Sequence, residues 1–180
     1  NVSTTHLLDR VAMEFGEKCY EVPVGFKHVS GKMVEKRAII GGESSGGMAI
    51  RGHIQGKDGI YAAALLVEML AVTGKSIAEI YREIQERYGM LYFVEEDLAT
   101  TEKHKQSLHQ QVFAEKKLPH FSEEIAQISY ADGCKVTFAD GSWVICRFSG
   151  TEPLLRFAAE GNTDNQAHSH IACWKAFLNL

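Results

Sequence analysis

The sequence predicts two domains of different fold class, an α/β domain followed by an α+β domain. In about the first 90 residues, apolar side chains recur at helical spacing and are interrupted by glycine-rich turns. After about residue 120 the apolar positions alternate instead, as they do in strands. Two Asp-Gly pairs, Asp132-Gly133 and Asp140-Gly141, separate the alternating runs and predict tight hairpins. A chain of 180 residues is long enough for two small domains.

The first domain begins with a predicted helix over residues 7–15, which Gly16 ends. Residues 19–24 alternate and predict a short strand, and residues 25–28 then predict a loop or strand end. The apolar run at 37–40 predicts a second short strand, which stops at a pair of glycines.

Two further helices complete the predicted first domain, residues 1–90. Asp58 is placed to cap a helix over residues 59–72, which is apolar nearly all round and should be buried on most sides. A capping box, Ser76 with Glu79, starts the next helix, and Gly89 ends it. This order of elements predicts a small α/β domain that lacks its first strand.

The apolar pattern weakens over residues 91–100, with a short strand at 91–94, and this segment is interpreted as a hinge. The second domain, 101–180, starts with a charged helix over 101–115 whose inner face carries Leu108 and Val112. An antiparallel sheet of four strands and a final helix follow, with predicted bounds 125–130, 135–138, 142–146 and 155–160 for the strands and 164–178 for the helix.

Composition limits the function classes. Lys plus Arg number 19 and Asp plus Glu 23, so the net charge of −4 gives no reason to expect general binding to nucleic acid or anionic membranes. Any anion site must therefore be local. No apolar run reaches the roughly 18 residues of a membrane span, and we expect a cytoplasmic protein. Because the chain begins at Asn1 without an initiator methionine, we expect it to be part of a longer protein.

A loop between the last two predicted strands has the composition of a phosphate site. Guanidinium forks, hydroxyl donors and a backbone that allows close approach all suit a dianionic phosphate. The alternative is a turn whose arginines form surface salt bridges with Glu152 and Glu160. The candidate phosphate-binding residues are Arg147, Ser149, Gly150, Thr151 and Arg156.

A second polar turn, residues 42–47, suits sugar hydroxyls because a carboxylate accepts several hydrogen bonds and a hydroxyl both donates and accepts. The alternative is an ordinary solvent loop. Its candidate sugar-binding residues are Glu43 and Ser45, to which Lys27 and Arg51 could add contacts. The histidines lack zinc-protease spacing and no nucleophile motif stands out. We therefore assign no catalytic residue and no metal ligand in this chain.

Both loops resemble those of a known family. Residues 147–153, Arg-Phe-Ser-Gly-Thr-Glu-Pro, with Arg156 and Glu160, are similar to the phosphate loop of the α-D-phosphohexomutases, the phosphoglucomutase/phosphomannomutase superfamily. Residues 42–46, Gly-Glu-Ser-Ser-Gly, are similar to its sugar-binding loop, and residues 25–27 and 57–60 match flanking features. The resemblance implies the third of four domains, α/β with a mixed sheet, and the fourth, a TATA-box-binding-protein-like α+β fold.

The resemblance also implies an activity for the whole protein. Such enzymes interconvert hexose 1-phosphate and hexose 6-phosphate through a hexose 1,6-bisphosphate, using a phosphoserine and Mg²⁺ held by domains that this chain lacks. This chain would supply the sugar clamp and the phosphate loop, with the missing domains and the hexose phosphate as its partners. It departs from the pattern at Ser44 and at Gly47, where many relatives have histidine. Glucose, mannose and amino sugars all remain open as the substrate.

Two other functions stay open from the residues alone. A non-catalytic phosphosugar-binding or regulatory protein could keep both loops without the chemistry. Nucleic-acid binding by the second domain would follow only by analogy of fold, and the negative net charge argues against it.

Overall fold

This computed structural model describes residues 1–150 and 152–180, apart from the side chain of Lys103. The chain divides into two compact units. The units are Asn1–Met90 and Leu91–Leu180. Thr151, one of the candidate phosphate-binding residues, lies outside the described residues.

The first unit consists of four helices and one small hairpin, whose strands are β1 Ile40–Gly42 and β2 Met48–Ile50. Strands β1 and β2 pair antiparallel, with Gly42 opposite Met48, so that residues 43–47 form the turn between them. In chain order its elements are α1 Leu7–Glu14, α2 Phe26–Lys36, β1 Ile40–Gly42, β2 Met48–Ile50, α3 Gly59–Thr73 and α4 Ile77–Tyr88.

Local signals placed three of these helices correctly. Gly16 follows α1 with a positive φ of 69°, as a helix stop requires. Asp58 caps α3, and its carboxylate accepts hydrogen bonds from the backbone N–H groups of Ile60 and Tyr61 at 3.0 Å. Both halves of the Ser76–Glu79 capping box are formed at the start of α4.

Two predictions for this unit are wrong. Residues 19–23 have no regular structure: the Val22 carbonyl accepts a hydrogen bond from the Val2 N–H, but no strand among the described residues pairs with the segment. Residues 26–28, predicted as a loop or strand end, begin helix α2. Gly31 interrupts the helical pattern of α2, and only Val29 of this helix is buried, so its apolar periodicity is weak.

Helix α3 was expected to be buried on most sides, and this prediction is also wrong. None of its residues is buried, and Ile60 is 87% exposed. The strands of the hairpin have three residues each, which offer too little surface to cover a helix of 15 residues.

Among the described residues, no single helix is long and apolar enough to cross a membrane. Helices α3 and α4 meet the criteria of length and composition only when they are taken together, and the chain bends by 81° between them.

The second unit is a sheet with helices, and its described part contains five strands in the order β3-β7-β6-β5-β4, all antiparallel. Helix α5 continues directly into a π-helical segment, His109–Ala114. The elements are β3 Tyr92–Ala99, α5 Glu102–Leu108, β4 Ile125–Ser129, β5 Cys134–Phe138, β6 Trp143–Phe148, β7 Leu154–Gly161 and α6 Asp164–Leu178.

One face of this sheet forms the core of the unit with the helices. Leu108 and Val112 are buried against it, as the sequence predicted, and Ile171 and Trp174 of α6 have no exposed surface. The strands contribute alternate residues to the same cluster, such as Leu155 and Phe157 of β7. The intervening residues of β7, including Arg156, therefore point to the opposite face.

The segment interpreted as a hinge, 91–100, has regular structure, because residues 92–99 form strand β3. It pairs with β7 along its whole length and makes the sheet five-stranded instead of four-stranded. Val94 and Leu98 pack on the core, whereas Glu95 and Asp97 alternate to the other face. These acidic residues weakened the apolar signal of the strand. The likeness to the TATA-box-binding protein stays a prediction.

The capping box of α4 allows a direct test of local stability. We expect Ser76→Ala to lower the free energy of unfolding of the first unit by about 1 kcal/mol, because the Glu79 N–H loses its acceptor. Chemical denaturation measures this change. Ser122→Ala is the matched control, since among the described residues the exposed Ser122 hydroxyl donates to Glu123 and caps no helix. Equal losses in both variants would contradict the capping role.

Candidate functional site

The turn of the β1–β2 hairpin presents two serine hydroxyls to solvent. The Glu43 N–H donates to the Gly47 carbonyl and the Gly46 N–H to the Glu43 carbonyl, both at 3.0 Å. These bonds close a tight turn that needs the positive φ of 86° at Gly46. Ser44 and Ser45 occupy its two central positions and are exposed. The predicted polar turn is confirmed, and the Ser45 hydroxyl is accessible to a ligand.

The Glu43 side chain is only 8% exposed, and its partners among the described residues are Gly25, Lys57 and Asn1. Its Oε1 accepts from the Gly25 N–H, just before α2, and its Oε2 from the Lys57 ammonium, both at 3.1 Å. Burial acts to raise the pKa of Glu43, but the contacts with Lys57 and Gly25 together hold it below its usual 4.5. Each carboxylate oxygen can accept a second hydrogen bond. Glu43 is therefore an oriented, charged acceptor.

Lys57 is a residue of this site that the candidate set omitted. Its ammonium also lies 5.5 Å from the centre of the Phe26 ring. A Cβ atom at Gly47 would come within 2.2 Å of Lys57 Cδ, so the glycine leaves the space in which the lysine reaches Glu43. Two sequence signals include Lys57: its place directly before the Asp58 cap of α3, and the resemblance of residues 57–60 to a flanking feature of the family.

The other two candidate sugar-binding residues lie differently. Lys27 is the second residue of α2 and is exposed, close in sequence to the Gly25 N–H that holds Glu43. Arg51 follows β2 at the end of the hairpin away from the turn, and its guanidinium donates to the Arg37 carbonyl at 2.6 Å. The structure therefore places Lys27 two residues after the glycine whose N–H holds Glu43, and gives Arg51 a contact at the end of α2.

The loop between β6 and β7 is held at both ends by backbone hydrogen bonds. The Ser149 N–H donates to the Leu154 carbonyl, and the Thr100 N–H donates to the Pro153 carbonyl, each at 2.9 Å. Inside the loop, the Ser149 hydroxyl accepts from the Glu152 N–H at 3.3 Å. Ser149 is 9% exposed, whereas Gly150 is exposed. These bonds hold the two ends of the loop, and the exposed Gly150 leaves the backbone open to a ligand.

The two candidate arginines lie side by side. Arg147 of β6 pairs with Arg156 of β7 in the sheet register, and residues directly opposite in an antiparallel pair share a face. Like charges in this position repel each other. Arg156 is neutralised by Asp97 at 3.3 Å and by Glu152 at 2.5 Å. Among the described residues, none forms a hydrogen bond or ion pair with the Arg147 guanidinium.

Acidic groups thus surround the arginine pair. Besides Asp97 and Glu152, Glu95 of β3 interacts with both arginines. Burial and the repulsion from Asp97 raise the pKa of Glu95, although the arginines act in the opposite direction. The site therefore already contains negative charge beside its two cations.

A cleft of about 270 Å³ adjoins the loop on the side of α5. Ser149 and Gly150 line it together with Lys105, whose ammonium lies 5.8 Å from the centre of the Phe148 ring. Neither arginine is among the residues that line this cleft. Lys105 is a cation that the candidate set omitted, because it lies more than forty residues away in sequence and only the packing of α5 brings it to the loop.

A buried Ser-His-Glu cluster in the second unit superficially resembles a nucleophilic site. The Ser142 hydroxyl lies 3.2 Å from His170 Nε2, and His170 Nδ1 lies 4.0 Å from Glu123. However, Ser142 and His170 are 2% and 1% exposed, and the Ser142 hydroxyl donates to Asp140 at 2.6 Å. Burial lowers the pKa of His170 more than Glu123 and Asp140 raise it. The cluster is part of the core and is closed to substrate.

The contact between Lys57 and Glu43 predicts a measurable pKa change. In Lys57→Met we expect the pKa of Glu43 to rise, because the charged donor is lost while most of the side-chain volume remains. NMR titration of the Glu43 carboxyl carbon measures it. Lys75→Met is the control, since Lys75 pairs with Glu83 instead. An unchanged Glu43 pKa in Lys57→Met would contradict this account of the site.

The same contact gives a pH dependence of stability. Because the pKa of Glu43 is lower in the folded than in the unfolded chain, the contact stabilises the first unit at neutral pH. This stabilisation is lost as the pH falls below about 4.5 and through the lower folded-state value.

Comparison with known proteins identifies both units. A family model described as phosphoglucomutase/phosphomannomutase, alpha/beta/alpha domain III, matches residues 1–88. A second, described as phosphoglucomutase/phosphomannomutase, C-terminal domain, matches residues 94–172. Both matches follow the order in which the sugar and phosphate loops occur in the chain.

Individual relatives agree with the family models. A phosphoglucomutase/phosphomannomutase of Thermococcus kodakarensis is 30% identical over 171 residues, 94% of this chain and 35% of the relative. A phosphoglucosamine/phosphogalactosamine mutase of Sulfurisphaera tokodaii is 28% identical over 94% of this chain and 35% of its own length. The crystal structure of a putative phosphomannomutase from Thermus thermophilus matches with a TM-score of 0.73 and 25% identity, over 99% of this chain and 35% of that chain.

The chain thus spans about 35% of the length of these relatives. It belongs to the phosphoglucomutase/phosphomannomutase family, in which it corresponds to domain III followed by the C-terminal domain.

Proposed function

We propose that this chain is the substrate-holding part of a phosphohexomutase, an isomerase that converts hexose 1-phosphate into hexose 6-phosphate and back. In this proposal the β6–β7 loop binds the phosphate that is not being transferred, and the β1–β2 turn binds hydroxyls of the sugar. The single observation that carries it is the pairing of Arg147 with Arg156 at the base of a loop with Ser149 and Gly150.

The phosphate half of the proposal follows from charge and geometry. Two guanidinium groups on one face of adjacent strands can converge on one dianion, and their mutual repulsion falls when the dianion is bound. The Ser149 hydroxyl and the backbone at Gly150 add neutral donors, and Lys105 is a further cation beside the loop. Thr151 stays a predicted contact from the sequence.

The sugar half is supported by the turn of the first unit. Glu43 is charged and oriented by Gly25 and Lys57, which suits an acceptor for two neighbouring ring hydroxyls. Ser45 is exposed beside it, and Lys27 lies at the start of α2. Arg51 remains a predicted sugar contact, although its guanidinium donates to the Arg37 carbonyl. The choice between glucose, mannose and amino sugars is not part of the proposal.

The chemistry of phosphoryl transfer is assigned to the rest of the protein. A phosphoserine would give its phosphoryl group to the sugar phosphate, and the resulting hexose 1,6-bisphosphate would return the other group. Turning the intermediate between the two steps requires a site that accepts the sugar in two orientations. Holding the spectator phosphate and paired hydroxyls positions the reacting end without taking part in bond making.

Magnesium is likewise assigned to the rest of the protein. Its charge would offset that of the phosphoryl group during transfer. Among the residues that the structure describes, no group of three or more His, Cys, Asp or Glu side chains could hold a metal ion. The cytoplasmic location stays a prediction.

The phosphate loop is tested by binding. We expect the 180-residue chain to bind inorganic phosphate and glucose 1-phosphate weakly, and Arg147→Ala to weaken phosphate binding by about tenfold or more, since a charged hydrogen bond is lost. Isothermal titration calorimetry measures both. The control is Arg82→Ala, which removes an exposed arginine of α4. Equal phosphate affinity in wild type and Arg147→Ala would reject the phosphate loop.

A further inference from the structure

Glu152 forms an ion pair with the guanidinium group of Arg156, which a bound phosphate would need. Its Oε2 lies 2.5 Å from Arg156 Nη2, within the loop that the proposed function assigns to phosphate. Asp97 takes the other terminal nitrogen, Nη1, at 3.3 Å. Both ends of the Arg156 fork are therefore bound to carboxylates of the protein itself.

The carboxylates of Glu152 and Asp97 differ in how easily they can move away from Arg156. Glu152 belongs to the loop, outside the strands, and its side chain is 54% exposed. Asp97 lies within β3, directly opposite Arg156 in the register, so the sheet itself holds it beside the arginine. A rotation of the Glu152 side chain into solvent would release Nη2 without breaking any strand pairing.

Arg156 also has one N–H donor without a hydrogen-bond partner while Glu152 is bound. Its Nε is buried and has no hydrogen-bond partner among the described residues. A carboxylate held through Nη2 alone leaves this donor unused, whereas a phosphate with three acceptor oxygens can engage more than one donor of the same guanidinium. The exchange of Glu152 for phosphate would therefore improve the hydrogen bonding of Arg156.

We propose that Glu152 is an internal competitor for phosphate, which holds Arg156 in the absence of ligand and is displaced when a phosphate group binds. Glu152 thereby sets the affinity of the loop: it keeps the arginine pair from binding singly charged or weakly bound anions and makes release of the phosphate easier. This inference rests on the proposed function, because it assumes that the loop binds phosphate.

The charge balance around the loop supports this role. Two arginines face three carboxylates, those of Glu95, Asp97 and Glu152. Adding a dianion without moving any of them would place five negative charges against two positive ones. Glu152 is the one of these three carboxylates that lies outside the strands, so its withdrawal is the smallest change that relieves the repulsion.

The test compares phosphate affinities in a double-mutant cycle by isothermal titration calorimetry of the 180-residue chain with inorganic phosphate. We expect Glu152→Gln to bind phosphate about fivefold more tightly than wild type, as expected for loss of a competing, partly exposed ion pair. In an Arg156→Ala background the same substitution should change the phosphate affinity by less than about twofold, because the guanidinium for which Glu152 and phosphate compete is gone.

Two further variants separate competition from general repulsion. Glu124→Gln removes the same charge from an exposed residue of the second unit away from the loop, and its affinity should match wild type. Asp97→Asn frees Nη1 and should also tighten binding, by less than Glu152→Gln. Circular dichroism and thermal melting confirm that each variant is folded.

Each result has a distinct meaning. Unchanged or weaker binding in Glu152→Gln overturns the competition, and so does an equal gain in the Arg156→Ala background. If wild type binds phosphate and Arg147→Ala does not, either of these results leaves the proposed function intact. If neither wild type nor Glu152→Gln binds phosphate, both the phosphate loop and the competition are wrong.

Discussion

The repulsion between Arg147 and Arg156 is the constraint on which the second unit's candidate site depends. The register of β6 against β7 places these two cations opposite each other on one face of the sheet. Such a pair destabilises a sheet unless nearby anions compensate for it. Here β3 supplies Asp97 in the same register, and the loop supplies Glu152. These carboxylates compensate for the repulsion when no ligand is bound, so a dianion that binds the arginine pair must replace part of this compensation.

In the first unit the charged group that needs compensation is a carboxylate, that of Glu43. Glu43 is nearly buried, and a buried carboxylate remains charged only if donors surround it. The Gly25 N–H and the Lys57 ammonium provide them, and Gly47 leaves the space for the lysine. The turn can therefore present an oriented carboxylate next to an exposed serine hydroxyl. In both units the candidate ligand-binding groups are held by contacts that lie outside the loop motif itself.

The sequence was sufficient where local chemistry decides the structure. The Asp58 cap, the Ser76–Glu79 box, the two Asp-Gly hairpins and the bounds of α6 depend on residues close together in the chain, and all are as predicted. The secondary-structure predictions failed where the structure depends on partners that are distant in the sequence. Residues 19–23 alternate like a strand, but no strand in the part of the chain that the structure describes pairs with them. The acidic β3 is a strand because it pairs with β7 along its whole length. Lys57 and Lys105 reach the two loops only through packing.

The central claim, that residues 147–156 bind phosphate and residues 43–47 bind sugar hydroxyls, is tested most directly by NMR of the ¹⁵N-labelled chain. Inorganic phosphate should shift the backbone amide signals of residues 147–156 and leave those of residues 43–47 unchanged. Glucose 1-phosphate should shift both groups. The account is contradicted if inorganic phosphate leaves the signals of residues 147–156 in place, or if glucose 1-phosphate shifts no signal from residues 43–47.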